Sequence, residues 1–126
     1  MKIIDIKTQD IRFPTSKDNL GTDAVHVDCD YSATYVTIFT DQKDLTGIGL
    51  TFTIGKGNDL CCTVIEYFKE FIIGKNVEEI EKDIASIWEK ITNHSQLRWV
   101  GPQKGVTHLA AAAFFNAIWD LSLIHI

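Results

Sequence analysis

The chain has 126 residues, 45% of them hydrophobic and 23% charged, with a formal net charge of −5 at neutral pH. That length supports one ordinary folded domain with a core of its own. Lysines and arginines are scattered rather than clustered, which excludes nucleic acid and anionic membrane as expected partners.

The opening residues, MKIIDIKTQDIRF, interrupt their apolar run with Asp5, Lys7, Gln9 and Asp10. They lack the continuous apolar stretch of a secretory leader, and no window along the chain reads as long enough to span a bilayer. The expected location is the cytoplasm, with the mitochondrion as the alternative. Ile4, Ile6 and Thr8 alternate, and the parity changes at Ile11 and Phe13. This predicts a strand over residues 3–13 with an irregularity near Gln9 and Asp10.

A long polar loop, PTSKDNLGTDAVHVDCD, follows. YSATYVTIFT and LTGIGLTFT are rich in β-branched and aromatic residues and are separated by the turn-forming DQKD. They predict an antiparallel hairpin. Gly47 and Gly49 alternate with Ile48, Leu50 and Phe52, giving the last strand one apolar face and one nearly bare face open to close approach.

Asn58 is placed to cap a helix in which Leu60, Cys61, Val64, Ile65, Phe68, Phe71 and Ile72 recur at helical spacing until Gly74. A second helix opens at Asn76, with Glu79 in capping-box position and Ile80, Ile84, Ile87, Trp88 and Ile91 on one face. The loop NHSQLRWVGPQKG leads to a third helix, VTHLAAAAFFNAIWDL. The predicted fold class is α+β, a three-stranded antiparallel meander followed by three helices.

The chemistry-bearing patterns are sparse. GIGLTFTIGKGN is not a phosphate loop, because five residues separate Gly49 from Gly55 and Gly57 stands where a hydroxyl should bind the metal. Gly47 and Gly49 lie in a hairpin without the third glycine of a dinucleotide fingerprint. Cys29, Cys61 and Cys62 have no metal-ligand spacing and read as free thiols in a reducing compartment. Asp23, Asp28, Asp30 and His26 lack the glycine and glutamate of an EF-hand and read as a solvated loop. Arg98 and Trp99 either receive an acid or anchor their loop. His94, His108 and His125 have no paired nucleophile or carboxylate, and helix-end and surface roles are assigned to them.

DIRFPTS, DYSATYV, GIGLTFTIGKGN and SQLRWVGPQKGVTHLAAAAFFNAIWDL resemble the N-terminal region of L-fuconate dehydratases, in the mandelate racemase branch of the enolase superfamily. The likeness runs from about Ile3 to Leu121. It implies a capping domain over residues 1–121 that closes over a modified (β/α) barrel, with residues 122–126 expected to be a non-family tail or a truncation junction. In complete members Mg²⁺ holds a sugar-acid carboxylate, a base removes the adjacent proton, and loss of the β-hydroxyl yields a 2-keto-3-deoxy acid. The cap closes over the substrate through the loops after the first and third strands. The family's substrate-contacting positions fall on Gly21, Thr22, Asp23 and Tyr31, with Thr22 contacting through its backbone.

The resemblance places the catalytic lysines, the Mg²⁺ ligands and the His–Asp dyad in the barrel. None of Lys56, Lys75, Lys82 or Lys104 matches the lysine motif. The chain alone is therefore expected to be inactive and to bind no metal. Its expected partners are an L-fuconate-like sugar acid and a barrel domain. Helix faces in AAAAFFNAIW that would meet the barrel are expected to lie bare, lowering stability or driving self-association. The competing expectation is a stand-alone, non-catalytic module that binds a sugar acid or a protein.

Overall fold

The structure is a computed structural model that describes residues 1–101 and 105–123. Three strands, β1 (Ile3–Arg12), β2 (Ser32–Thr40) and β3 (Thr46–Thr53), form one antiparallel sheet in the order β1-β2-β3. Five helical segments follow: α1 (Asn58–Ile72), α2 (Val77–Lys82), α3 (Ile84–Thr92), α4 (Leu97–Val100) and α5 (Val106–Leu123). This is the predicted α+β meander followed by helices.

The irregularity in β1 lies elsewhere than the parity change suggested. Pairing with β2 is continuous from Asp5 opposite Phe39 to Arg12 opposite Ser32, and the register shifts between Ile3 and Asp5. The extra residue, Ile4, is turned out to solvent, so Ile3 and Ile6 both reach the core although they are three apart. Parity at Gln9 and Asp10 misled because the far end of the strand buries little: Ile11 is half-buried and Phe13 exposed.

The predicted second helix is two. Asp83, with φ −110° and ψ 14°, separates α2 from α3. Its N–H donates to both Glu79 and Ile80 carbonyls, and its own carbonyl accepts from Ile87 at 3.0 Å. Backbone bonding thus runs through the kink, which is why side-chain periodicity did not reveal it. Glu79 accepts from the Asn76 N–H at 3.2 Å, as a capping box requires. α4 is one helical turn inside the stretch that sequence assigned to a loop, and Pro102, Gln103 and Lys104 lie outside the described residues.

The bare face of β3 is where the sheet meets α5. A Cβ on Gly47 would land on the Ala117 carbonyl oxygen, and one on Gly49 on that of Ala113, so only glycine permits this approach. Ile6, Val36 and Ile38 pack from the sheet against Ile65 and Phe68 of α1 and Phe114 and Ile118 of α5. Phe68 and Phe114 meet edge to face with centroids 5.3 Å apart.

The apolar residues of AAAAFFNAIW are largely buried by the chain itself, including Ala113, Phe114, Phe115, Ala117 and Ile118. Trp119, within that stretch, is nonetheless exposed, and further exposed apolar side chains stand on the outer face of the sheet, at Ile48, Leu50 and Phe52. Contrary to the expectation that no window is long enough, the 18-residue α5 is long and apolar enough to cross a membrane, yet half of it is buried here as the core helix. The expected domain boundary at Leu121 falls within α5, which continues to Leu123; residues 124–126 lie outside the described residues.

Candidate functional site

The long loop between β1 and β2 is held by its own side chains. Thr15 donates through Oγ1 to the Cys29 carbonyl at 2.8 Å and accepts from the Tyr31 N–H at 2.9 Å. Asp30 Oδ1 accepts from both the N–H and the hydroxyl of Ser16, at 3.1 and 2.7 Å. The Ser16 hydroxyl, then its N–H, hold the Asp30 carboxyl below the usual carboxylate range. Short Ser, Thr and Asp side chains that bond nearby backbone favour such turns over regular structure.

The four residues singled out by resemblance lie along this loop. The Tyr31 hydroxyl donates to the Gly21 carbonyl at 2.7 Å, and its ring fills the space beside Gly21. Gly21 has φ +70°, and a Cβ there would meet the tyrosine ring, so glycine is required for both reasons. Thr22 donates through its hydroxyl to the Asn19 carbonyl at 3.1 Å, which occupies its side chain locally. Asp23 Oδ1 accepts from the N–H groups of Val25 and His26 at 2.8 and 2.7 Å. Those bonds, that of His26 first, lower its pKa, with the His26 ring 3.3 Å from Oδ2 adding to the effect. The structure therefore joins Tyr31 to Gly21 directly, while Thr22 and Asp23 serve turns of their own.

The loop after β3 meets the first loop. The Asp30 N–H donates to the Ile54 carbonyl at 3.1 Å, and Gly55, with φ +117°, comes against the Asp30 backbone and Cβ. Tyr31 and Phe52 add an edge-to-face contact at 5.5 Å. The predicted cap at Asn58 is displaced by one residue, since Gly57 is the N-cap and Asn58 begins the helix. The fully buried Asn58 amide instead donates to Asp10 Oδ1 at 2.8 Å and to the carbonyls of Ala33 and Ile11, and accepts from Thr53 at 2.7 Å. One side chain thus ties α1 to all three strands.

Two features escaped the sequence reading. Arg12 pairs with Asp10 through two 2.9 Å bonds and reaches Asp59 at 3.3 Å. The spacing of Asp10 and Arg12, two residues apart in a strand and therefore on one face, was the available signal. Arg12 also lines a cavity of about 300 Å³ between the two loops, with Asp28, Asp30, Ile54, Gly55 and Lys56. An apolar groove of about 350 Å³ opens nearby, lined by Phe52, Ile54, Leu60, Val106 and Leu109 with Lys56 beside it.

The other candidates do not converge on these loops. Arg98 and Trp99 stand on α4, with Trp99 84% exposed. The His94 ring accepts from the N–H groups of Gln96 and Leu97, at 3.2 and 3.3 Å, as a helix-end residue would. His125 lies outside the described residues. Cys29, Cys61 and Cys62 are unpaired, and burial pushes the Cys61 thiol upward, the direction of an inert packing residue. Among the described residues, no three His, Cys, Asp or Glu side chains converge as a metal ion would require.

No protein-family model matches the chain. It is 47% identical over 121 residues to mitochondrial enolase superfamily member 1 of Xenopus laevis, covering 95% of this chain and 27% of that protein. It is 45% identical over 119 residues to L-galactonate dehydratase of Hypocrea jecorina, covering 94% of this chain and 26% of that protein. The chain thus spans about a quarter of the length of these relatives. The crystal structure of human mitochondrial enolase superfamily member 1 superposes with a TM-score of 0.89 at 43% identity, over 96% of this chain and 28% of that one. The structure of L-talarate dehydratase from Polaromonas, at 18% identity and a TM-score of 0.69, shares the fold over 98% of this chain and 29% of that one. By its strand order, its helices and these likenesses, the chain has the fold of the N-terminal capping domain of the enolase superfamily.

Proposed function

We propose that this chain is the substrate-selecting cap of a sugar-acid dehydratase, acting on L-fuconate or a closely similar acid. The observation that carries the reading is the joining of the two loops at one end of the sheet, through Asp30 to Ile54 and Tyr31 to Phe52. The kinship to a relative named L-galactonate dehydratase supports the sugar-acid class. L-fuconate is the 6-deoxy form of that relative's named substrate, so the two differ only at the end of the carbon chain.

The cap's part is to bind, orient and exclude water. Gly21 and Thr22 present backbone groups, Asp23 an ionised carboxylate, and Tyr31 a phenol whose oxygen remains free to accept while its proton is held by Gly21. A polyhydroxy acid needs such a mixture of donors and acceptors. Closure of both loops over it lowers the local dielectric where the proton is removed. The described residues do not fit a Mg²⁺ site, so no metal-dependent step is assigned to this chain. The dehydration itself is assigned to a barrel domain as partner.

The test is a chimera in which this chain replaces the cap of a barrel-bearing relative, with kcat/KM measured for L-fuconate and L-galactonate. Turnover whose preference follows the exchanged cap is expected. A chimera that folds but neither turns over nor changes preference overturns the reading. A second reading, the stand-alone binding module, is favoured by Val25 and Val27, 81% and 66% exposed on the first loop. Tight L-fuconate binding by residues 1–126 with no turnover in the chimera would select it. The names of the frog and human relatives carry the word mitochondrial, and cell fractionation decides between that compartment and the cytoplasm.

A further inference from the structure

β3 is an edge strand, bonded to β2 on one side. Its Ile48 N–H donates to Asp120 Oδ2 on α5 at 2.8 Å, and therefore points away from β2. Backbone direction alternates along a strand together with the side chains. The N–H and C=O groups of Leu50 and Phe52 thus point outward with those of Ile48, while Gly47, Gly49 and Thr51 bond to β2. α5 does not fill that outward side. The Cβ positions of Gly47 and Gly49 run into its backbone, which sets the helix beneath the face of β3 and not beside its edge. From Thr46 to Ile54 the sequence holds no charged residue and no proline, the residues that protect edge strands. The opposite edge differs. Gly74 and Lys75 bond to Ile3 at the start of β1, Asp5 takes the outward Ile6 N–H at 2.8 Å, and Lys7, Asp10 and Arg12 stand further along.

We propose that the β3 edge is a pairing surface for a second copy of this chain, joined antiparallel about a two-fold axis at Leu50, and that Asp120 is the latch that restrains it. Under that symmetry the edge matches itself, which singles out a second copy over an unrelated strand. Leu50 exchanges backbone bonds with Leu50 of the partner subunit, and the Phe52 N–H donates to the carbonyl of Ile48 of the partner subunit. On the outer face of the sheet, the exposed Ile48 lies beside Phe52 of the partner subunit, and Leu50 beside its own counterpart, so each apolar side chain meets an apolar one. The outward donor already taken is the Ile48 N–H, held by Asp120. Its release would complete the ladder, and it would remove a carboxylate from the line that the second strand follows. Three side chains from each copy fall well short of the roughly 800 Å² per partner of a stable interface. The pairing is therefore weak while Asp120 is in place.

The experiment is sedimentation velocity with residue-resolved amide hydrogen exchange on residues 1–126 at rising concentration, for the parent, Asp120→Ala, and Asp120→Ala combined with Leu50→Pro. The concentrated parent is expected to gain protection at Leu50 and Phe52. Asp120→Ala should do so at about a tenth of the concentration or less, since each copy regains one backbone bond. Leu50→Pro removes an outward N–H without touching the ladder to β2, and should return the alanine variant to a monomer. Gly49 and Thr51, bonded to β2, should stay protected throughout, which establishes that the variants fold. Dimers in which the Leu50 and Phe52 amides still exchange freely overturn the edge pairing and place the contact on the face of the sheet. An Asp120→Ala variant that folds and associates no more than the parent overturns the latch. If that variant does not fold, the parent decides: Leu50 and Phe52 amides whose exchange is the same at every concentration refute the pairing.

Discussion

The backbone of Gly49 lies directly against the carbonyl of Ala113, with the Ala117 nitrogen 2.5 Å from where a Cβ would stand. The contact involves backbone on both sides, so no rotamer change can relieve an added methyl group. Gly49→Ala should destabilise the chain by about 2–3 kcal/mol, the cost of overpacking a close-packed core. Urea unfolding measures this, and a variant as stable as the parent would show that α5 can move away from the sheet.

Asn58 makes its bonds in a fully buried position where no water replaces them. Asn58→Ala leaves the Thr53 hydroxyl and the Ala33 carbonyl without that partner, a loss of about 3 kcal/mol. The same denaturation assay checks it. Hydrogen exchange should also quicken in the first turn of α1, because that turn's tie to the strands is gone.

Tyr31→Phe removes only the bond to the Gly21 carbonyl. Exposed as that bond is, the change in global stability should stay near 0.5–1 kcal/mol. Local exchange should respond more, with amides from Asn19 to Asp23 losing protection while those of β2 keep theirs. Equal protection in the two proteins would mean that Thr15 and Ser16 hold the loop unaided.

Asp10, Asp23 and Asp30 all have their pKa lowered by the fold, Asp10 by its bonds from Arg12 and then Asn58. Groups depressed in the folded state stabilise it above their unfolded pKa, and that contribution disappears as pH falls through the folded value. Stability should therefore decline below about pH 4, near the unperturbed aspartate value. Asp30→Asn should make that decline shallower. Thermal melts between neutral pH and pH 2 would show it, and an unchanged slope would remove Asp30 from the account.

Outward-facing Ile48, Leu50 and Phe52 on β3 stand opposite Thr37, Tyr35 and Ala33 on β2. Phe39, on the same face, is covered by the Lys7 ammonium, 5.3 Å from its ring centre. We expect weak self-association through this face, seen as concentration-dependent sedimentation and abolished by Ile48→Lys with Leu50→Lys. Identical sedimentation of parent and variant would count against it.

Strand and helix order was readable because alternation in YSATYVTIFT and helical spacing from Leu60 to Ile72 each match one backbone period. The bare stripe of Gly47 and Gly49 announced a close neighbour, and the neighbour is α5. The bulge at Ile4 and the kink at Asp83 were hidden because each depends on what lies across from it in space. Asn58 looked like a cap by its position, but Asp10 and Ala33, distant in sequence, offered it better partners. The likeness in DYSATYV and GIGLTFTIGKGN pointed to loop positions, yet the meeting of Asp28 and Lys56 at one cavity needs both loops in three dimensions.

The bond from the Asp30 N–H to the Ile54 carbonyl, with Asn58 fixing the next turn to the sheet, gives the two loops one shared footing. An outward movement of either loop alone would break the Asp30–Ile54 bond and part the Tyr31 and Phe52 rings. The walls of the cavity between them are thus aligned before anything enters it. The entropy of aligning them is lost once, when the chain folds, and not again at each encounter.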